Sequence, residues 1–328
     1  MWFSIILGIA ITAGVLLVVA LGLIASQRPV ALSGQNDAGL DFSDTLARDV
    51  GDVPAPEPVL MRDGYPLPCR RYGGQGRDVP LVVLVHGSGW HGMQFHTLAT
   101  ALAADANVLV PDLRGHGAAP MRRGDMDYVG QFEDDLAYLI AGQVGSGQKV
   151  VLVGHSSGGG LVMRMAGGVH GGLIDRAVLL APFLKHNAPT TRPNSGGWAH
   201  VLLRRMIGLT LLNAMGVRGL NHIEVIQFDM PRAVLDGPLG NTATTAYSYR
   251  LNQSLAPRSD FRSDIAALPP FAVVVGAQDE AFYADAYAPL MQSVTDKGQY
   301  HVVPDVGHLG IVDAPQTLQL IRDAIHVL

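Results

Sequence analysis

Gly154-His155-Ser156-Ser157-Gly158 lies between two apolar runs, Lys149-Val150-Val151-Leu152-Val153 before it and Leu161 to Ala166 after it. A G-x-S-x-G pattern between a strand and a helix puts its serine on a sharp, strained turn with the hydroxyl clear of the sheet. Small residues must flank such a serine, and the next backbone N–H points at whatever the oxygen attacks. The strand before and the helix after separate this motif from chance matches in a chain with 39 glycines. A serine hydroxyl at its free pKa is a poor nucleophile. A base must take its proton, usually a histidine held in one tautomer by a carboxylate.

Ser156 is therefore the candidate nucleophile, and its partners are sought downstream in the order acid, then histidine. Asp279 follows Val273-Val274-Val275-Gly276-Ala277-Gln278, and His308 follows Val302-Val303-Pro304-Asp305-Val306-Gly307. Each lies in a loop just after a strand, where the carboxyl edge of a parallel sheet gathers reacting groups. Asp279 is the candidate acid and His308 the candidate base. Glu280 is an alternative acid, and Asp305, before the histidine at a turn, ranks below both. The oxyanion needs two preorganised donors. One is the N–H of Ser157. The other comes from His86-Gly87-Ser88-Gly89-Trp90, where the Ser88 N–H is preferred and Gly89 competes. His86 itself reads as a brace for that loop.

Elements that could position these groups are visible as apolar patterning. Short runs at Pro80–Val85, Asn107–Val110, Val150–Val153, Ala177–Ala181, Phe271–Val275 and Tyr300–Val303 read as strands. Helical spacing fills Phe95–Ala104, Tyr128–Ala141 and Thr317–His326. This alternation predicts an α/β fold with a mostly parallel sheet flanked by helices. About eighty residues separate the strands at 177–181 and 271–275, too long for a loop. Trp198–Leu220 reads as mostly helical and apolar, so an inserted helical cap is expected at about 184–262.

The N-terminus differs from the rest. Hydrophobic residues make up 48% of the 328 and charged ones only 16%, and Trp2–Ala25 holds no charged side chain. Twenty-four helical residues span about 36 Å against a hydrocarbon core of about 30 Å. A single-pass transmembrane anchor over residues 1–28 is expected, so the protein is placed at a membrane. A cleaved secretory signal is the alternative, although no Lys or Arg precedes the run. Arg28 is the only nearby cation, which leaves the side of the bilayer open. Residues 29–58 read as a solvated linker with a short helix near Phe42–Ala47, and residues 59–328 as the folded domain. With a net charge of −5 and no long basic run, nucleic acid is not an expected partner. Cys69 is the single cysteine, so no internal disulfide forms. Twelve histidines occur without H-E-x-x-H or C-x-x-C, so no metal is expected.

Taken together, His86-Gly87-Ser88-Gly89, Asp112-Leu113-Arg114-Gly115-His116-Gly117, Gly154-His155-Ser156-Ser157-Gly158, Gly276-Ala277-Gln278-Asp279 and Gly307-His308 resemble the α/β-hydrolase superfamily over residues 59–328. Within it the chain resembles the monoacylglycerol lipase and lysophospholipase group. The resemblance implies no metal and no organic cofactor, and gives Asp112 a loop-shaping role outside the catalytic set. Ser157 departs from that group, which often carries an apolar residue there. The expected activity is ester hydrolysis through an acyl-enzyme on lipid-like acyl esters such as monoacylglycerols or lysophospholipids. Alternatives are a small-molecule carboxylesterase, another α/β-hydrolase reaction, or a non-enzymatic binding protein on the same fold. Lys185, Arg192, Arg204, Arg205 and Arg218, with no acid between 184 and 223, are compatible with a cap seated on anionic lipid. They are equally compatible with solvated cations beside a packed apolar face.

Overall fold

A computed structural model describes the chain except residues 33, 35–38, 44, 45, 47–51, 75, 77, 78 and 328. Strands β1 (Glu57–Leu60), β2 (Pro66–Tyr72), β3 (Leu81–Val85), β4 (Asn107–Pro111), β5 (Val150–His155) and β6 (Arg176–Leu180) precede the insertion. The insertion carries β7 (Ala199–Val201), β8 (Glu224–Phe228) and β9 (Ala246–Ser248), and β10 (Phe271–Gly276) and β11 (Gly298–Val303) follow it. The main sheet has eight strands in the order β1-β2-β4-β3-β5-β6-β10-β11. Its β1–β2 and β2–β4 pairs are antiparallel, and the remaining pairs are parallel.

Every residue of β3 and β5 is buried. That explains their unbroken apolar runs: a parallel strand covered on both faces has no solvent side to alternate toward. Burying one such Val or Leu side chain contributes about 1.5–3 kcal/mol before chain entropy is counted. Helices His96–Leu102, Gln131–Gln143, Ser157–Ala166 and Pro315–His326 flank the sheet, the last with Pro315 in its first turn, where the missing N–H costs nothing.

The insertion is mixed rather than purely helical. Helix Leu203–Ala214 lies within the stretch read as helical, but β7-β8-β9 form a small antiparallel sheet beside it. Strands of three to five residues are too short to show an alternating pattern. Arg192 ties the start of the insertion to the body: its Nε donates to the carbonyls of Asp279 and Phe282, each at 3.1 Å.

Trp2–Ala25 is one helix, with a mean hydropathy of 2.7 over its most apolar window, long and apolar enough to cross a membrane. It is exposed except near its end, where Ala20 and Ile24 are buried with Leu209 and Leu212 of the insertion's helix. Gly208 permits this approach, since a Cβ there would lie 2.6 Å from the Ala20 carbonyl oxygen.

The stretch after that helix differs from the expected solvated linker. The Val30 N–H and C=O pair with the Gln227 side-chain amide at 2.9 and 2.8 Å, and the Gly34 N–H donates to Asp229 at 3.0 Å. Phe42 is buried between Trp90 and Trp198, with ring centroids 5.9 and 5.8 Å away. Backbone amides met by Gln227 and Asp229, and one aromatic side chain with an apolar slot to fill, keep this segment on the cap. Residues 44, 45 and 47 of the expected short helix lie outside the described residues.

Candidate active site

Ser156 stands at the end of β5 with φ 55° and ψ −121°, a left-handed conformation that non-glycine residues rarely adopt. The strain is held by tight flanks. A Cβ on Gly154 would lie 2.4 Å from the Gly158 carbonyl oxygen, and one on Gly158 would lie 2.2 Å from that of Val85. The Ser156 N–H donates to Leu180 and its carbonyl accepts from Phe183, both at 2.9 Å. Ser157 opens the following helix, so its N–H is among the four at a helix start that lack an intrahelical acceptor.

The sheet order brings the distant candidates to one edge. The loop after β3 lies on one side of β5, and the loops after β10 and β11 lie on the other. His308 Nδ1–H donates to Asp279 Oδ2 at 2.8 Å, with both side chains almost fully buried. The other Asp279 oxygen accepts the N–H groups of Ala281 (2.9 Å) and Phe282 (2.7 Å). Asp279 thus fixes the tautomer of His308 and leaves Nε2 as the basic nitrogen. Glu280, the alternative acid, accepts the backbone N–H of His308 at 2.7 Å instead. Asp305 lies in a left-handed turn with φ 55°.

His155, the residue before Ser156, joins the two halves. Its Nε2–H donates to the His308 carbonyl at 2.9 Å, its Nδ1 faces the Gln94 amide at 3.2 Å, and the two imidazole rings lie 4.7 Å apart. Phe282 packs edge-on against His308 from another side at 5.2 Å. The His308 ring is therefore clamped against the residue that carries the elbow.

In the loop after β3, Gly87 sits directly against Ser156: a Cβ there would lie 2.9 Å from that of Ser156. The Gly89 N–H is taken up by the Tyr247 hydroxyl at 2.6 Å. That engages Gly89, the competing donor of this loop, and leaves Ser88 as its candidate. The Ser88 and Ser157 hydroxyls are 2.6 Å apart. Tyr247 belongs to β9 of the cap, and its O–H donates to His116 Nε2 at 2.6 Å, while His116 Nδ1–H donates to the Arg114 carbonyl at 3.0 Å. His86 braces the loop as expected: Nδ1–H donates to the Gly87 carbonyl and Nε2 accepts the Leu113 N–H, both at 2.9 Å. Burial pushes the His86 and His116 imidazoles down to about 3, so both are neutral braces. Asp112 is buried, paired with Arg70 at 3.0 Å, and accepts the Gly92 N–H at 2.8 Å, a loop-shaping position away from His308.

Sequence reasoning gave no role to His155, Gln94 or Tyr247. His155 adjoins the motif glycine Gly154, whereas Gln94 and Tyr247 adjoin no motif glycine and carried no local signal. Among the described residues no group of three or more His, Cys, Asp or Glu side chains is placed to hold a metal ion.

The sequence profile of the alpha/beta hydrolase family matches residues 82–318. An uncharacterised protein of Mycobacterium tuberculosis is 33% identical over 139 residues, 41% of this chain and 37% of that protein, so the chain spans well under half the length of that relative. The sn-1-specific diacylglycerol lipase ABHD11 of Danio rerio is 25% identical over 256 residues, 74% of this chain and 77% of its own. Among solved structures, a soluble variant of the monoglyceride lipase from Saccharomyces cerevisiae superposes with a TM-score of 0.61 at 16% identity, covering 85% of this chain and 98% of that one. At that identity the likeness speaks for the fold. With the match extending over more than half of its length, the chain belongs to the alpha/beta hydrolase family.

Proposed function

We propose that the protein is a serine hydrolase that cleaves carboxylic esters through an acyl-enzyme on Ser156. The observation that carries this reading is the clamp on His308: Asp279 on Nδ1, Glu280 on its N–H and, against its ring, that of His155, the chain neighbour of a serine held at φ 55°. His308 Nε2 takes the Ser156 proton as Oγ attacks the ester carbonyl, and Asp279 stabilises the imidazolium. The N–H groups of Ser88 and Ser157 bind the oxyanion. His308 then protonates the departing alkoxide, and water admitted to its place is deprotonated by the same nitrogen and releases the acid.

The substrate class we infer is a lipid-like acyl ester, such as a monoacylglycerol or a lysophospholipid. Two features support it. We read the apolar helix, whose last turns pack onto the cap, as a retained anchor. Trp90, Trp198, Phe228 and Phe42 form an apolar cluster over the oxyanion loop, where a Cβ on Gly89 would lie 2.9 Å from the Trp198 ring. The zebrafish diacylglycerol lipase and the yeast monoglyceride lipase are similar proteins of this chemistry. Ser156→Ala lowers turnover by several orders of magnitude, about 10⁴-fold or more, with substrate binding kept. Across an acyl-chain series, kcat/KM is expected to rise toward long chains. Near-wild-type turnover by the alanine variant rejects the mechanism, and turnover of acetyl and butyryl esters alone rejects the substrate class.

A further inference from the structure

We infer that the free face of the cap helix Leu203–Ala214 is a docking surface for a lipid leaflet with anionic headgroups, lying at the boundary between headgroups and acyl chains. This rests on the reading of Trp2–Ala25 as a retained membrane helix, and it adds which side of the catalytic domain that helix holds against the bilayer.

Position comes first. The apolar helix exceeds the hydrocarbon thickness by about 6 Å, or roughly four residues. Its buried residues, Ala20 and Ile24, lie in its last turns, and they pack on Gly208, Leu209 and Leu212 of the cap helix. Just beyond, Gln27 Oε1 accepts the Arg204 N–H at 2.8 Å, at the start of the cap helix. The cap helix therefore sits where the anchor leaves the membrane, and the anchor cannot span without bringing it to that level.

Composition agrees with position. Leu203, Ile207, Thr210 and Ala214 are exposed at helical spacing, and Leu203 and Ile207 expose 59% and 44% of their surface. Single exposed apolar residues mean little, but this stripe adjoins a helix that is apolar on every face. The five cations of the segment divide in two. Lys185 donates to the Pro257 and Arg258 carbonyls, Arg192 to those of Asp279 and Phe282, and Arg205 to those of Gln27 and Glu224. Arg204, next to Leu203 on the cap helix, and Arg218, in the loop after that helix, remain exposed, with no acidic residue from 184 to 223. An apolar face with exposed guanidinium groups beside it matches the boundary of an anionic leaflet, where apolar side chains sink about 5–10 Å.

The test uses site-specific fluorescence on the full chain, one copy per nanodisc of phosphatidylcholine and phosphatidylglycerol. Cys69 is fully buried with its thiol pushed up to about 12, so an introduced cysteine is labelled selectively. Probes are placed at Ile207→Cys, at Leu16→Cys within the anchor, and at Gln319→Cys on the exposed side of the C-terminal helix. Lipids carrying a nitroxide near the glycerol backbone are expected to quench the probe at 207 severalfold more than that at 319. Arg204→Glu with Arg218→Glu should reduce the quenching at 207. Equal quenching at 207 and 319 overturns the proposal. So does a blue-shifted probe at 207 that lipid does not quench, which indicates cover by protein, including a second copy. A probe at 16 that lipids labelled at the acyl midpoint fail to quench overturns the anchor reading itself, whereas the esterase reading is judged separately by Ser156→Ala.

Discussion

At the scale of single residues, two neighbouring carboxylates have been given different tasks by geometry alone. Asp279 reaches the imidazole and Glu280 the backbone of the same histidine, each within 2.8 Å. Asp279→Asn removes the acceptor that fixes the tautomer and stabilises the imidazolium, and kcat is expected to fall by about 10⁴-fold. Glu280→Gln keeps a neutral acceptor for the N–H, and the expected loss is about tenfold or less. Steady-state kinetics of the two variants with one soluble ester separate these outcomes, and equal losses contradict the assignment. Ser156, Asp279 and His308 stood out as candidates in the sequence because each lies at or shortly after the end of an apolar strand. Glu280 was legible only as a candidate acid. His155 was not, because its partner is the carbonyl of a residue 153 positions away, and no local pattern reports such a contact.

Between elements, the cap and the loop after β3 share a hydroxyl. Tyr247 on β9 accepts the Gly89 N–H and donates to His116, so a cap side chain holds the loop that carries Ser88. Tyr247→Phe leaves two buried groups unpaired at about 1–3 kcal/mol each. The expected result is a fall in kcat of about tenfold or more with KM for a small ester nearly unchanged, because the loop serves the transition state. A raised KM at constant kcat contradicts this role. The six strands read from the sequence are all present, whereas β1, β2 and the cap sheet were not anticipated. Pro66-Leu67-Pro68-Cys69-Arg70-Arg71-Tyr72 carries two prolines and two arginines, which mask a strand near the sheet margin. The strands of the cap are too short to show a period.

Over the whole molecule, neutral buried histidines couple folding to pH. His86 and His116 are pushed down to about 3 and His91 to about 4, chiefly by burial, from an ordinary value near 6.5. Below about pH 6.5 the unfolded chain binds protons there that the folded chain does not, so stability is full above that pH and declines toward pH 4. Between about pH 7.5 and 5.5 each histidine removes on the order of 1 kcal/mol. Thermal unfolding followed across that range should show a falling Tm, and a flat or rising Tm contradicts the buried neutral state. At this scale the sequence disclosed an apolar N-terminal helix and a catalytic domain as separate parts. Their joining was hidden, because it depends on Gly208 admitting Ala20 and on Phe42 finding a slot between two tryptophans.

The central claim is that His308 activates Ser156, and an active-site-directed fluorophosphonate reads that activation directly. Mass spectrometry of the labelled full-length protein should find one adduct, on the peptide containing Ser156. In His308→Gln the labelling rate should drop by about 10³-fold or more. An adduct at another residue, no adduct in the wild-type protein, or an unchanged rate without the histidine contradicts the account.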